Sequence, residues 1–125
     1  MPDWPSINGR QAMANITIWH NPNCGTSRNA LALLKEQGHA VKLVEYLKTP
    51  PDADILAKVA QAVGGARALL RTRGTDAEAR GLPTADDAAI LAAMLADPIL
   101  INRPVVIGPR GIVLARPAER AGEVL

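Results

Sequence analysis

The feature that most constrains this chain is a strand, a polar loop and a helix in immediate succession, followed by a second strand. Ile16-Thr17-Ile18-Trp19 is β-branched and aromatic, and reads as the body of a short strand from Asn15 to His20. Ala30, Leu31, Leu33 and Leu34 then recur at helical spacing, which gives a helix from about Ser27 to Gln37 that Gly38 stops. Val41-Lys42-Leu43-Val44-Glu45-Tyr46-Leu47 alternates and supplies the second strand. Strands joined through a helix lie parallel, because the crossover returns the chain to the end from which it started. The chain is thereby committed to an α/β fold.

Thr49-Pro50-Pro51 breaks this unit, and Asp52 is placed to cap a helix carrying Ile55, Leu56, Val59 and Val63 before Gly64-Gly65 ends it. A short helical piece from Ala66 to Leu70 and a polar stretch from Thr72 to Gly81 follow. Thr84 with Asp87 three residues on resembles a capping arrangement for a helix from Ala85 to Ala96, which Asp97-Pro98 terminates. Val105-Val106-Ile107 and Ile112-Val113-Leu114-Ala115 flank the turn Gly108-Pro109-Arg110-Gly111 and form a hairpin, with a terminal helix from Pro117 toward Leu125. The expected order is β-α-β, a helical insertion over about 49–97 between the second and third strands, then β-β-α. That is the layout of a thioredoxin-like domain over 15–125, preceded by an N-terminal extension over 1–14.

Composition removes several function classes. With one cysteine in 125 residues the chain forms no internal disulfide, and with only His20 and His39 beside it a zinc cluster is not expected. Residues 1–14 contain Pro2, Pro5 and Gly9 but no apolar core of a secretory signal, and Asn102-Arg103-Pro104 interrupts the apolar segments around it. A cytoplasmic protein without membrane spans is expected. The formal charge is +2, yet ten of the fourteen basic residues are arginine, the side chain whose planar fork suits oxyanions. No basic block interleaved with aromatics points to nucleic acid.

The lone thiol, Cys24, lies in His20-Asn21-Pro22-Asn23-Cys24-Gly25-Thr26-Ser27-Arg28-Asn29, at the junction of strand and helix. Free N–H groups and the positive end of the helix dipole favour a thiolate there, and would also hold an anion. A lone cysteine is often an inert core residue, but this loop is polar and offers no apolar neighbour. A reactive thiol is therefore expected. Counting excludes two chemistries: the sixth residue after Cys24 is Ala30, so a tyrosine-phosphatase loop is absent, and the third is Ser27, so there is no dithiol redox pair. Cys-Gly-Thr-Ser still approaches the spelling of a monothiol glutaredoxin, which keeps an iron–sulfur or glutathione carrier as a rival. His20 has two open roles in the site, a hydrogen bond within the loop or an imidazolium beside the thiolate, and reads equally as a strand-end histidine satisfied by backbone, whereas His39 reads as solvated. Arg103 precedes Pro104, where thioredoxin-like folds set a cis-proline facing the active-site cysteine; a cis bond would aim Arg103 at Cys24. Arg116 ends the fourth strand and Arg71 the short helix. Taken singly and on spacing alone, each arginine reads as a solvated surface residue rather than a ligand.

The segment Ile16 to Asn29 closely resembles the active-site segment of glutaredoxin-coupled arsenate reductases. The resemblance continues through Tyr46-Leu47-Lys48-Thr49-Pro50-Pro51, Arg67-Ala68-Leu69-Leu70-Arg71 and Asp97-Pro98-Ile99-Leu100-Ile101-Asn102-Arg103-Pro104-Val105-Val106, and spans about Asn15 to Pro117. It implies that Cys24 is the nucleophile, that Arg71, Arg103 and Arg116 bind the oxyanion, and that His20, Gly25, Thr26 and Ser27 are auxiliary. It further implies reduction of arsenate to arsenite through a Cys24–arsenic intermediate, with glutathione as co-substrate, glutaredoxin as partner and no tightly bound cofactor. The chain departs from that family in its extra stretch to about Gln11, in being one residue shorter between Leu47 and Arg71, and in ending soon after Arg116. Related transcription regulators share the fold, but they usually carry a second cysteine where Ser27 stands.

Overall fold

A computed structural model describes residues 14–125, so the expected N-terminal extension lies outside the described residues except for Ala14. Four strands, β1 (Asn15–Trp19), β2 (Ala40–Val44), β3 (Val105–Gly108) and β4 (Gly111–Leu114), form one sheet in the order β2-β1-β3-β4. β1 and β2 are parallel, with Ile18 opposite Leu43, while β3 runs antiparallel to both β1 and β4. This is the thioredoxin-like arrangement expected from the sequence, with the helical insertion between β2 and β3.

The pleat sends alternate side chains to opposite faces, and each face has its own core. Ile16, Ile18, Val106 and Val113 pack with Ala30 and Leu34 of α1 (Gly25–Glu36) and with the chain's end. Trp19 and Val105 pack on the other face with the insertion, through Leu56 and Val59 of α2 (Ala53–Ala62), Leu69 of α3 (Ala66–Leu69) and Ile90 and Met94 of α4 (Asp87–Ala96). The insertion closes on the sheet through backbone: Leu70 bridges Ile101, the Arg71 N–H donates to Leu100 O at 2.8 Å, and the Asn102 N–H donates to Leu69 O at 2.8 Å. These bonds set the end of α3 beside the segment entering β3. Among the described residues no helix is long and apolar enough to cross a membrane.

Three expectations are corrected. β2 stops at Val44 rather than Leu47, because β1 turns away into the Cys24 loop and the His20 N–H to Val44 O bond, 2.8 Å, is the last rung available to an edge strand. Glu45 O instead accepts from the N–H groups of Lys48 and Thr49, both at 2.9 Å, and the turn buries Tyr46. α4 is capped not by Thr84 but by Asp86, whose carboxylate accepts from the Ala89 N–H at 2.8 Å; Thr84 is held in the 3-10 turn Leu82–Thr84. The terminal helix is 3-10 rather than α over Ala118–Val124. Side chains three apart eclipse in that geometry, and Ala118, Ala121 and Val124 are the buried ones. Its approach to the sheet is close enough that a Cβ at Gly108 would collide with the Val124 carbonyl.

Candidate active site

Cys24 is the N-cap of α1, with extended backbone at φ −100° and ψ 120°. The helix begins at Gly25, two residues earlier than expected, so the N–H groups of Thr26 and Ser27 act on the sulfur, although neither closes a capping hydrogen bond to it. The thiol is also more enclosed than a polar loop suggests, at 6% exposure. Burial alone would push it up, but the Ser27 N–H, the Arg103 charge, the Arg116 guanidinium and the Thr26 N–H outweigh that and leave the thiol below the ordinary cysteine value. Gly25 is the first residue of the helix, and a Cβ there would make only ordinary contact with Arg28. Arg28 in turn donates to Pro22 O at 2.8 Å and closes the loop upon itself.

His20 and Ser27 are both buried and lie 2.6 Å apart, Nδ1 to Oγ. Ser27 Oγ also accepts from the Asn21 N–H at 3.0 Å, which leaves its own proton free to go to the imidazole. Burial pushes His20 below its ordinary value, helped by Arg28 and Lys35 and only partly opposed by Glu45. Of its two open roles the structure therefore supports the hydrogen bond within the loop, with a neutral ring. Ser27, on the first turn of α1, thus ties the end of β1 to the helix that carries the thiol. His39 is half-buried rather than fully solvated, and its Nδ1 accepts from the Ala14 N–H at 3.0 Å.

The three arginines arrive from three separate elements. Arg116, just past β4, is 3.8 Å from Cys24 Sγ through Nη1, and the same nitrogen donates to Arg103 O at 2.9 Å. Arg103 is half-buried in front of β3; the Arg103–Pro104 and Arg116–Pro117 peptides are both cis. Burial lowers Arg103 from its ordinary value, and it feels the charges of Cys24, Arg71 and Arg116. Arg71 makes no hydrogen bond to the sulfur. Its Nε donates to Arg73 O at 3.0 Å, and its charge reaches Arg103 and Tyr46. A thiolate-favouring sulfur and three guanidinium groups gathered at one end of the sheet can hold an anion beside a thiol.

Three residues of this neighbourhood were not singled out from the sequence. Asn21 shapes the loop, its Oδ1 accepting from the Asn23 N–H at 2.9 Å, a turn that the spelling Asn-Pro-Asn does signal. Gly74 has φ +77°, and a Cβ there would crowd Arg71 Nη2 at 3.1 Å, so this glycine lets the arginine fold back over its own turn. Tyr46 read only as a strand residue, yet it is fully buried beside Asn21 and within reach of the charges of Arg103, Arg71 and Cys24.

Residues 19–124 match the ArsC family. The chain is 45% identical over 116 residues to the arsenate reductase of Yersinia enterocolitica, covering 90% of this chain and 82% of that protein. It is 46% identical over 113 residues to the arsenate reductase of Rhizobium meliloti (strain 1021), covering 88% of this chain and 81% of that one. Among solved structures, the arsenate reductase from Vibrio cholerae is similar with a TM-score of 0.83 and 35% identity, over 90% of this chain and 99% of that chain.

Proposed function

The chain belongs to the ArsC family, and on that footing we propose that it reduces arsenate to arsenite, with Cys24 as nucleophile and glutathione and glutaredoxin supplying the electrons. The observation that carries this reading is the lowered Cys24 thiol with Arg116 at 3.8 Å and Arg103 beside it. An arsenate dianion and a thiolate repel one another, and guanidinium groups offset that charge as they meet.

In the proposed sequence the Cys24 thiolate attacks arsenic(V). A sulfur–arsenic bond forms while one arsenic–oxygen bond breaks, and the oxygen leaves as water after taking up a proton. Glutathione adds its thiol to the arsenic, and a second oxygen departs as water. Glutaredoxin thiolate then attacks the glutathione sulfur: a mixed disulfide forms, the arsenic–sulfur bond to glutathione breaks, and its electron pair stays on arsenic, now trivalent and still bound to Cys24. Water displaces Cys24 and releases arsenite. The two electrons come from the two external thiols, in keeping with a chain that has a single cysteine. A cytoplasmic setting, where glutathione is abundant and reduced, fits that requirement.

Intact-mass measurement tests this directly. With arsenate and glutathione but no glutaredoxin, the wild-type protein should accumulate an arsenic–glutathione adduct that Cys24→Ser does not form. Absence of the adduct, together with turnover supported by thioredoxin without glutathione, would contradict the assigned partners. Absence of both adduct and turnover would contradict the enzyme reading and favour an adaptor or carrier built on the same fold.

A further inference from the structure

Two buried side-chain polar atoms among the described residues have no hydrogen-bond partner, and both belong to this site: the Tyr46 hydroxyl and Arg103 Nε. Buried polar groups are nearly always paired, because leaving one unpaired forfeits its hydration without return. Arg103 already has a place in the oxyanion reading, whereas Tyr46 has none.

Backbone pairing explains how Tyr46 reaches the site. Trp19 is opposite Val44 in the parallel pair, and the His20 N–H to Val44 O bond is its last rung. Two residues beyond those partners stand Asn21, in the Cys24 loop, and Tyr46, in the turn that ends β2. Burial raises the Tyr46 phenol above its ordinary value; the Asn21 side chain, near enough to act on the hydroxyl although no hydrogen bond of good geometry joins them, and the charges of Arg103 and Arg71 oppose this, and the Cys24 charge reinforces it. The phenol therefore keeps its proton near neutral pH and acts as a donor. Its ring packs in the core with Trp19, Leu70 and Ile101, a job that needs no hydroxyl.

Building on the oxyanion reading above, we propose that Tyr46 is a further substrate-contacting residue, its hydroxyl donating a hydrogen bond to an oxygen of the anion held between Cys24, Arg71 and Arg103. The arginines supply charge. The phenol adds a neutral donor at the buried end of the site, where another cation would add repulsion, while the exposed Arg116 stands at the rim.

The test uses arsenate without any thiol and reads how it protects Cys24 from alkylation. Tyr46→Phe, which keeps the ring and removes the donor, should raise the arsenate concentration for half-protection by roughly tenfold, as the loss of a hydrogen bond to a charged group implies. A second measurement needs no substitution. Tyr46 is the only tyrosine of the chain, so a carbon-13 label at the phenol carbon gives one resonance, which should shift with arsenate in step with protection. Unchanged half-protection in Tyr46→Phe, or a fixed resonance at arsenate concentrations that fully protect Cys24, overturns the role of Tyr46 alone. Failure of arsenate to protect the wild-type thiol overturns the oxyanion reading, and this inference with it.

Discussion

At Cys24 opposing effects of burial and positive surroundings meet on one sulfur. Enclosure disfavours the thiolate, while two backbone N–H groups and two guanidinium groups favour it more. Of Arg71, Arg103 and Arg116, it is Arg116 that hydrogen-bonds the sulfur. Alkylation followed against pH should therefore show a midpoint below that of free cysteine, and Arg116→Ala should move it upward; a midpoint that ignores Arg116 would contradict the contact. His20 makes a separate demand on pH. Its native value is lowered from 6.5, so in the range just below 6.5 the unfolded chain binds a proton that the native chain refuses. Stability attached to His20 is thus complete above 6.5 and is lost as pH falls through that value toward the lowered native one. Urea unfolding at about pH 7.5 and about pH 5.5 should show a larger acid loss for wild type than for His20→Asn, and equal losses would argue that the ring is protonated in the folded loop.

Elements whose signal is local were legible in the sequence, and those decided by a neighbour were not. β1 and α1 announce themselves by period, so the strand-to-helix junction and the placement of Cys24 and Ser27 followed from residues alone. β2 was read too long because alternation continues through Leu47, whereas its hydrogen-bonding partner leaves the sheet at Trp19. The spacing of Thr84 and Asp87 reads as the cap of α4, and spacing alone does not show that the helix starts later. Pro83 and Thr84 are taken up by a 3-10 turn, which leaves the role to Asp86. Asp86→Ala should lower unfolding stability by about 1 kcal/mol and Thr84→Ala by less, as read from urea midpoints; the reverse order would contradict this start for the helix. The convergence of the arginines was invisible for a deeper reason. Arg71 is brought toward Arg103 by the Leu70–Ile101 bridge, a pairing between segments with no local pattern in common.

Over the whole molecule, one end of the sheet collects the Cys24 loop, the end of β2, the entry to β3 and the exit from β4, and the insertion adds Arg71 from outside. The fold thereby joins the Cys24 thiol from the first third of the chain to cations from the last two thirds, and it leaves Arg110 exposed on the hairpin turn at the other end of β3 and β4. A site assembled in this way predicts unequal effects for arginines of the same charge. The most direct measurement is the initial rate of arsenite formation from arsenate with purified glutathione and glutaredoxin, compared across wild type, Cys24→Ser, Arg103→Ala and Arg110→Ala. The expected result is no turnover in Cys24→Ser, a loss of roughly a hundredfold in Arg103→Ala and a rate near wild type in Arg110→Ala. Full turnover in Cys24→Ser, or equal losses in the two arginine variants, would contradict a reductase built on this thiol and this clamp.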